Sequence, residues 1–187
     1  MDNPKVIVDI HKDYILAGAE IITTNNYAVT QNLLRRKNLR NKLEDLTLLS
    51  IDLAKEARQI TNSNTKIAAS LPPLDTSYRP DLVGDSDSLM RKYSEIVEIV
   101  KDKVDLIMIE TMSSSAEAIG ALKACKDIGK EVWLGYTLHG VRKNTLPSGE
   151  SLTEALTAVK NYDIDAFLIN CCSANMTSEA MKIFANE

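Results

Sequence analysis

Apolar residues fall into two kinds of run along this chain: stripes at helical spacing, and short, nearly continuous blocks. Residues 4–17 carry Ile7, Ile10, Tyr14 and Ala17 on one stripe behind Pro4, which suits a first turn, and Gly18 stands where such a helix stops. "AEIITTNNY" (19–27) then reads as a strand that turns polar at its end. Leu43, Leu46, Ser50, Leu53, Ala57 and Ile60 mark a helix over 40–60, closed by "TNSN", and "KIAASL" (66–71) is a short buried strand. A helix over 86–101 turns Met90, Tyr93, Val97 and Val100 inward, and "VDLIMIET" (104–111) is the clearest strand. Next come a helix over 114–128 striped by Ala118, Ala121, Leu122, Cys125 and Ile128, and the strand "VWLGYTL" (132–138). A helix over 151–161 packs through Leu152, Ala155, Leu156 and Val159; "AFLINCC" is the last strand, and 176–185 a last helix.

Strict alternation of helices with apolar strands predicts an α/β fold with a parallel sheet covered by helices. Five strands are present, and no Gly-x-Gly-x-x-Gly follows any of them, which removes direct support for a dinucleotide fold. In parallel α/β folds ligands bind beyond the carboxyl ends of the strands. Those ends are Asn25-Asn26, Ser70, Glu110-Thr111, Thr137 with His139, and Asn170-Cys171. The long polar loops "PPLDTSYRPDLVGDSD" and "HGVRKNTLPSGE" lie on the same side, whereas the helix-to-strand connections are short. That asymmetry marks the functional face, and a barrel or part of one is the economical architecture.

Composition narrows the class. With 187 residues, 44% hydrophobic and 26% charged, the chain suits one globular domain with a substantial core. A net charge of -4 gives no basic footprint for nucleic acid, and the cluster of Arg35, Arg36, Lys37, Arg40 and Lys42 reads as a solvated helix start. No apolar run approaches the ~20 residues of a membrane helix. The first residues are too charged for a secretory signal, and three cysteines, two adjacent, make no disulfide framework, so a cytoplasmic setting is expected.

Glu110 carries the most information of any single residue. It follows "DLIMI", where a carboxylate is costly unless it meets a cation, so it is a candidate receptor for a substrate ammonium group, a general base, or a solvated loop carboxylate. Cys171 and Cys172 share a strand end, so the pleat should send one to the sheet's mouth and the other to the helix layer. Cys125 sits on an apolar helix stripe and reads as core, His11 as structural, and His139 as a loop residue within reach of a ligand.

Five blocks in order resemble the homocysteine S-methyltransferase family: "AGAEIITTNNY", "SLPPLDTSYRPDL", "VDLIMIETMSSSAEA", "VWLGYTL" and "LINCC". The resemblance covers nearly the whole chain. It implies a (β/α)8 TIM-type barrel, zinc held by three cysteines, and methyl transfer to the thiol of homocysteine to give methionine. By that resemblance Cys171 is the first zinc ligand, Glu110 binds the homocysteine amino group, and Asn25 and Thr137 lie near the substrate; no residue is assigned as a proton-transfer catalyst. Zinc would keep the acceptor sulfur as a thiolate, since a free thiol near its reference pKa of about 8.5 is mostly protonated at neutral pH. Three protein sulfurs would leave the fourth tetrahedral position for substrate.

The family's DGG-like opening motif and its GGCCG-like motif, which supplies the other two zinc cysteines, have no counterpart here, and a typical barrel needs about 250 residues. The expectation is therefore a single homocysteine-binding-like domain over 1–187: a partial barrel whose five strands correspond to strands two to six. The first and last two strands would be lacking. Homocysteine and a methyl donor are the expected partners, with S-methylmethionine or S-adenosylmethionine as donor because no corrinoid module accompanies the chain. Zinc would be weakly held or absent, the chain alone would be inactive, and exposed sheet edges favour a homo-oligomer. The alternative is a truncated non-catalytic homologue that binds a small amino acid or a partner chain.

Overall fold

The computed structural model describes residues 3–185. Its elements run α1 (Pro4–Leu16), β1 (Ile21–Thr23), α2 (Gln31–Arg36), α3 (Leu43–Ile60), β2 (Lys66–Leu71), α4 (Ser86–Val100), β3 (Leu106–Met112), α5 (Ser115–Ala124), β4 (Glu131–Tyr136), α6 (Leu152–Val159), β5 (Ala166–Ile169) and α7 (Ala174–Phe184). The strands form one sheet in the order β1-β2-β3-β4-β5, every neighbouring pair parallel. The result is a curled half-barrel with helices on its outer side, a partial TIM-type barrel.

Period-2 alternation decides which face is which. Ile22, Ile67, Ala69, Leu71, Ile107, Ile109, Val132, Leu134 and Tyr136 point outward into one core shared with the helices. The opposite, inner face carries Thr23, Met108, Glu110 and Trp133, all partly exposed, with Ala68, Ser70 and Leu106 buried among them. The hydroxyl of Thr23 lies 3.7 Å from the sulfur of Met108, placing both strands' inner residues on one surface. Side-chain caps start most of the later helices: Asp85 accepts from the Ser88 amide, Ser114 from Glu117, and Ser151 with Glu154 forms a capping box, each worth about 1 kcal/mol.

Three local expectations are corrected. The helix over 40–60 begins as a 3-10 turn at Arg40–Lys42, and an additional short helix, α2, precedes it, capped by Thr30. The first strand shrinks to Ile21–Thr23, because its polar continuation is drawn into loop hydrogen bonds. On α1 the buried face is Val8, His11 and Ile15, whereas Ile10 and Tyr14 are 45% and 65% exposed. The Ile10–Tyr14 stripe faces a cleft beside β1, whose outer edge has no neighbouring strand among the described residues. The neighbouring face packs on α3.

Candidate active site

The ends of β2, β3 and β5 build the site. At the end of β3 the pairing with β4 shifts register between Ile109 and Met112, and Thr111 adopts φ 63°. A β-branched residue in the left-handed region is a true outlier, costing about 1–3 kcal/mol, and such strain collects at ligand sites. The carboxamide of Asn170 holds it: the Thr111 amide donates to Asn170 Oδ1 at 3.1 Å, and Asn170 Nδ2 donates to Thr111 Oγ1 at 2.9 Å.

Glu110 leaves the same bulge toward the inner face. Its Oε1 accepts a 2.6 Å hydrogen bond from Ser70 Oγ, and its Oε2 accepts a longer one, 3.4 Å, from Asn170 Nδ2. Burial raises its carboxyl above the ordinary carboxylate range, and the Ser70 hydrogen bond pulls it part of the way back. Both partners are neutral, and among the described residues no ion pair includes Glu110. Ser70 is itself fixed by a buried network: its amide donates to Thr24 Oγ1, Thr24 donates to Asn26 Oδ1, and Asn26 Nδ2 donates to the Ser70 carbonyl. Of the paired asparagines, Asn26 is thus structural, while Asn25 is exposed and lines one cleft with Glu110, Thr23, Tyr27, His11 and Tyr14. His11 is buried, which lowers its pKa, and its Nε2 has no hydrogen-bond partner.

The end of β5 is the other half. Cys171 is exposed, adopts φ 54°, and its Sγ lies 3.7 Å from Thr111 Oγ1. Its carbonyl accepts from Tyr78 Oη at 3.3 Å, reaching over from the loop after β2, and from Thr137 Oγ1 at 3.4 Å. Thr137 is fully buried, and this is what its hydroxyl does. Cys171 opens into a second cleft, lined also by Tyr78, His139, Pro147 and Met176. Nδ1 of His139 accepts from the amides of Val141 and Arg142, which leaves the ring proton on Nε2 and makes the histidine the staple of its own loop.

Cys172 packs against the core, with its sulfur 3.4 Å from Thr177 Oγ1 on α7. Cys125 is buried at the end of α5, and burial pushes its thiol up to about 12. Among the described residues no three ligating side chains converge on a metal-sized point. The three-thiolate set implied by the resemblance is therefore not assembled among the described residues. Asn25 and Glu110 share a cleft, Cys171 lines the neighbouring one, and Thr111 with Asn170 forms the ridge between them. Ser70, Thr111 and Tyr78 were not marked as site residues by the sequence; Ser70 and Thr111 do stand at strand ends, which was the available signal.

Comparison with known proteins identifies the family. Residues 1–187 match the family model for homocysteine S-methyltransferase. Homocysteine S-methyltransferase 1 of Arabidopsis thaliana is 28% identical, the match covering 98% of this chain and 63% of the relative. Homocysteine S-methyltransferase 3 of the same plant is 30% identical over 90% of this chain and 57% of the relative. The chain thus spans less than two thirds of the length of these curated relatives. Among solved structures, the metallated form of the homocysteine methyltransferase MmuM from Escherichia coli matches all of this chain and 69% of that one, with a TM-score of 0.87 at 22% identity, a likeness of fold. A half-barrel matched along residues 1–187 by one family model, this chain belongs to the homocysteine S-methyltransferase family.

Proposed function

We propose that this chain binds homocysteine as the acceptor in a methyl transfer that yields methionine, with S-methylmethionine or S-adenosylmethionine as donor. The observation that carries the reading is Glu110: a half-buried carboxylate at a strand end, hydrogen-bonded to the neutral groups of Ser70 and Asn170, with no countercharge paired to it among the described residues. A desolvated carboxylate is costly without a cation, and the α-ammonium of an amino acid supplies one. Ser70 and Asn170 orient the carboxylate, Asn25 shares its cleft, and Thr137 with Tyr78 fixes the backbone that presents Cys171 toward the acceptor sulfur. A zinc ion, as the family resemblance implies, would stabilise the acceptor sulfur as a thiolate. In this chain Cys171 is the one residue the reading assigns to that ion.

A second reading is favoured by the donor set. With Cys172 turned toward α7 and Cys125 in the core, the described residues support amino-acid binding better than metal-assisted transfer. In that reading the chain is a non-catalytic homologue that binds a small amino acid or a partner chain. The outer edges of β1 and β5 lack neighbours among the described residues, and the partly exposed inner face supports self-association. No helix among the described residues is long and apolar enough to cross a membrane, and a cytoplasmic location fits the unpaired thiols. Incubating the 187-residue chain with homocysteine and labelled S-methylmethionine or S-adenosylmethionine separates the two. Labelled methionine above the protein-free blank supports transfer, whereas bound homocysteine with no product supports the binding homologue.

A further inference from the structure

The ridge between the two clefts has a construction that the assignment of Glu110 and Cys171 leaves unexplained. To reach Thr111, the Asn170 side chain crosses β4, the strand lying between β3 and β5. It crosses at Gly135. A Cβ there would stand 3.4 Å from Asn170 Oδ1, 3.5 Å from the Glu110 Cα and 3.3 Å from the Ile109 carbonyl. A Cβ would thus touch the crossing carboxamide at an ordinary contact distance and press more closely only on the Ile109 carbonyl. At the far side one carboxamide makes three contacts, with the Thr111 amide, the Thr111 hydroxyl and Glu110 Oε2. Thr111 passes the connection on to Cys171 Sγ. Both Thr111 and Cys171, the residues that flank this contact, sit in the left-handed region, which a β-branched residue adopts only when its surroundings over-determine it.

We propose that Asn170 is a positioning residue that fixes the separation between the carboxylate of Glu110 and the sulfur of Cys171, and thereby sets the chain length of the amino acid accepted. The inference rests on the reading of Glu110 as the ammonium receptor with the acceptor sulfur directed to Cys171. A rigid spacing between the two ends selects a two-methylene thiol over its one-methylene homologue, cysteine, because the shorter molecule cannot satisfy both ends together.

Two measurements on the 187-residue protein test it. Without ligand, the Thr111 amide is expected to be protected from hydrogen exchange by Asn170 Oδ1. Asn170→Ala should speed its exchange by about 10-fold, the equivalent of one lost hydrogen bond, while central β3 and β4 amides keep their rates. Asn170→Asp retains an acceptor for that amide and keeps the protection, but loses the donor to Glu110 and sets a second carboxylate beside it. With ligand, the ratio of homocysteine to cysteine affinity should fall at least about 3-fold in Asn170→Ala and Asn170→Asp. A Thr111 amide already unprotected in the wild type overturns the clamp. A protected wild-type amide with an unchanged affinity ratio in both Asn170 variants overturns its role in chain length. A protected amide in a protein that binds neither amino acid overturns the homocysteine reading instead, and the positioning role with it.

Discussion

Replacing Glu110 with Gln isolates the charge on which the functional reading stands. Gln keeps the shape and an acceptor for Ser70 Oγ, which now donates at 2.6 Å, and removes only the negative charge. Truncating one partner of a buried, hydrogen-bonded charge pair costs about 2–5 kcal/mol. Glu110 is only partly buried and its cleft is open to solvent, so the lower end applies: about 2 kcal/mol, or about 30-fold in Kd. Titration calorimetry with homocysteine and with 4-mercaptobutanoate, which lacks the α-amino group, reads this directly. The wild type should prefer homocysteine, and Glu110→Gln should bind the two alike. The protein's own stability should move the opposite way. Burial raises the Glu110 carboxyl, so the fold favours its protonated form. The resulting stability is fully present below the ordinary carboxylate pKa and is lost as pH rises through the raised, folded-state value. The variant lacks that loss, so its stability relative to wild type should grow as pH is raised across that window, measured by urea unfolding. Homocysteine affinity unchanged in Glu110→Gln would refute the ammonium-receptor role.

Four further outcomes follow from the structure. Gly120 sits where α5 meets α4, and a Cβ there would lie 2.5 Å from Leu89 Cβ and 3.2 Å from the Ser86 carbonyl; Gly120→Ala should lower stability by about 1–3 kcal/mol in denaturant unfolding, and an unchanged midpoint would contradict the close packing of the two helices. Cys171 is exposed while burial pushes Cys125 up to about 12, so mass-spectrometric alkylation should label Cys171 first and Cys125 last; faster labelling of Cys172 than of Cys171 would reverse their orientation. Glu117 is buried and raised by burial despite accepting from the Ser113 amide and hydroxyl, so it too contributes stability that is lost as pH rises through its folded value; Glu117→Gln should flatten that slope. Sedimentation should find a homo-oligomer, and a monomer at all concentrations would contradict the role given to the open edges of β1 and β5.

The architecture was legible because strand and helix periods differ so plainly here. "KIAASL" is β2 residue for residue, and the stripe Leu152, Ala155, Leu156, Val159 is the buried face of α6. Helix α1 is where the sequence places it, but its buried face is not legible there, since two apolar stripes run along it and only packing against α3 selects Val8, His11 and Ile15 over Ile10 and Tyr14. The separate helix α2 was hidden by its polar, basic sequence, held instead by the Thr30 cap and the Arg36–Asp75 ion pair. Glu110 stood out because an acid after the four apolar residues Leu106–Ile109 is conspicuous in any strand. Asn170 had no such contrast: its three contacts come from β3, two strands away in the sheet, and cross over Gly135 of β4. Thr111's left-handed backbone is likewise invisible to propensity, which assigns threonine to extended strand.

Calorimetric titration of the wild-type 187-residue chain with homocysteine, alongside the deamino analogue, tests the central claim most directly. Saturable binding of one homocysteine per chain, weakened about 30-fold when the α-amino group is missing, is the predicted result. A folded protein that gives no binding heat with homocysteine, or that binds the two compounds equally, would contradict it.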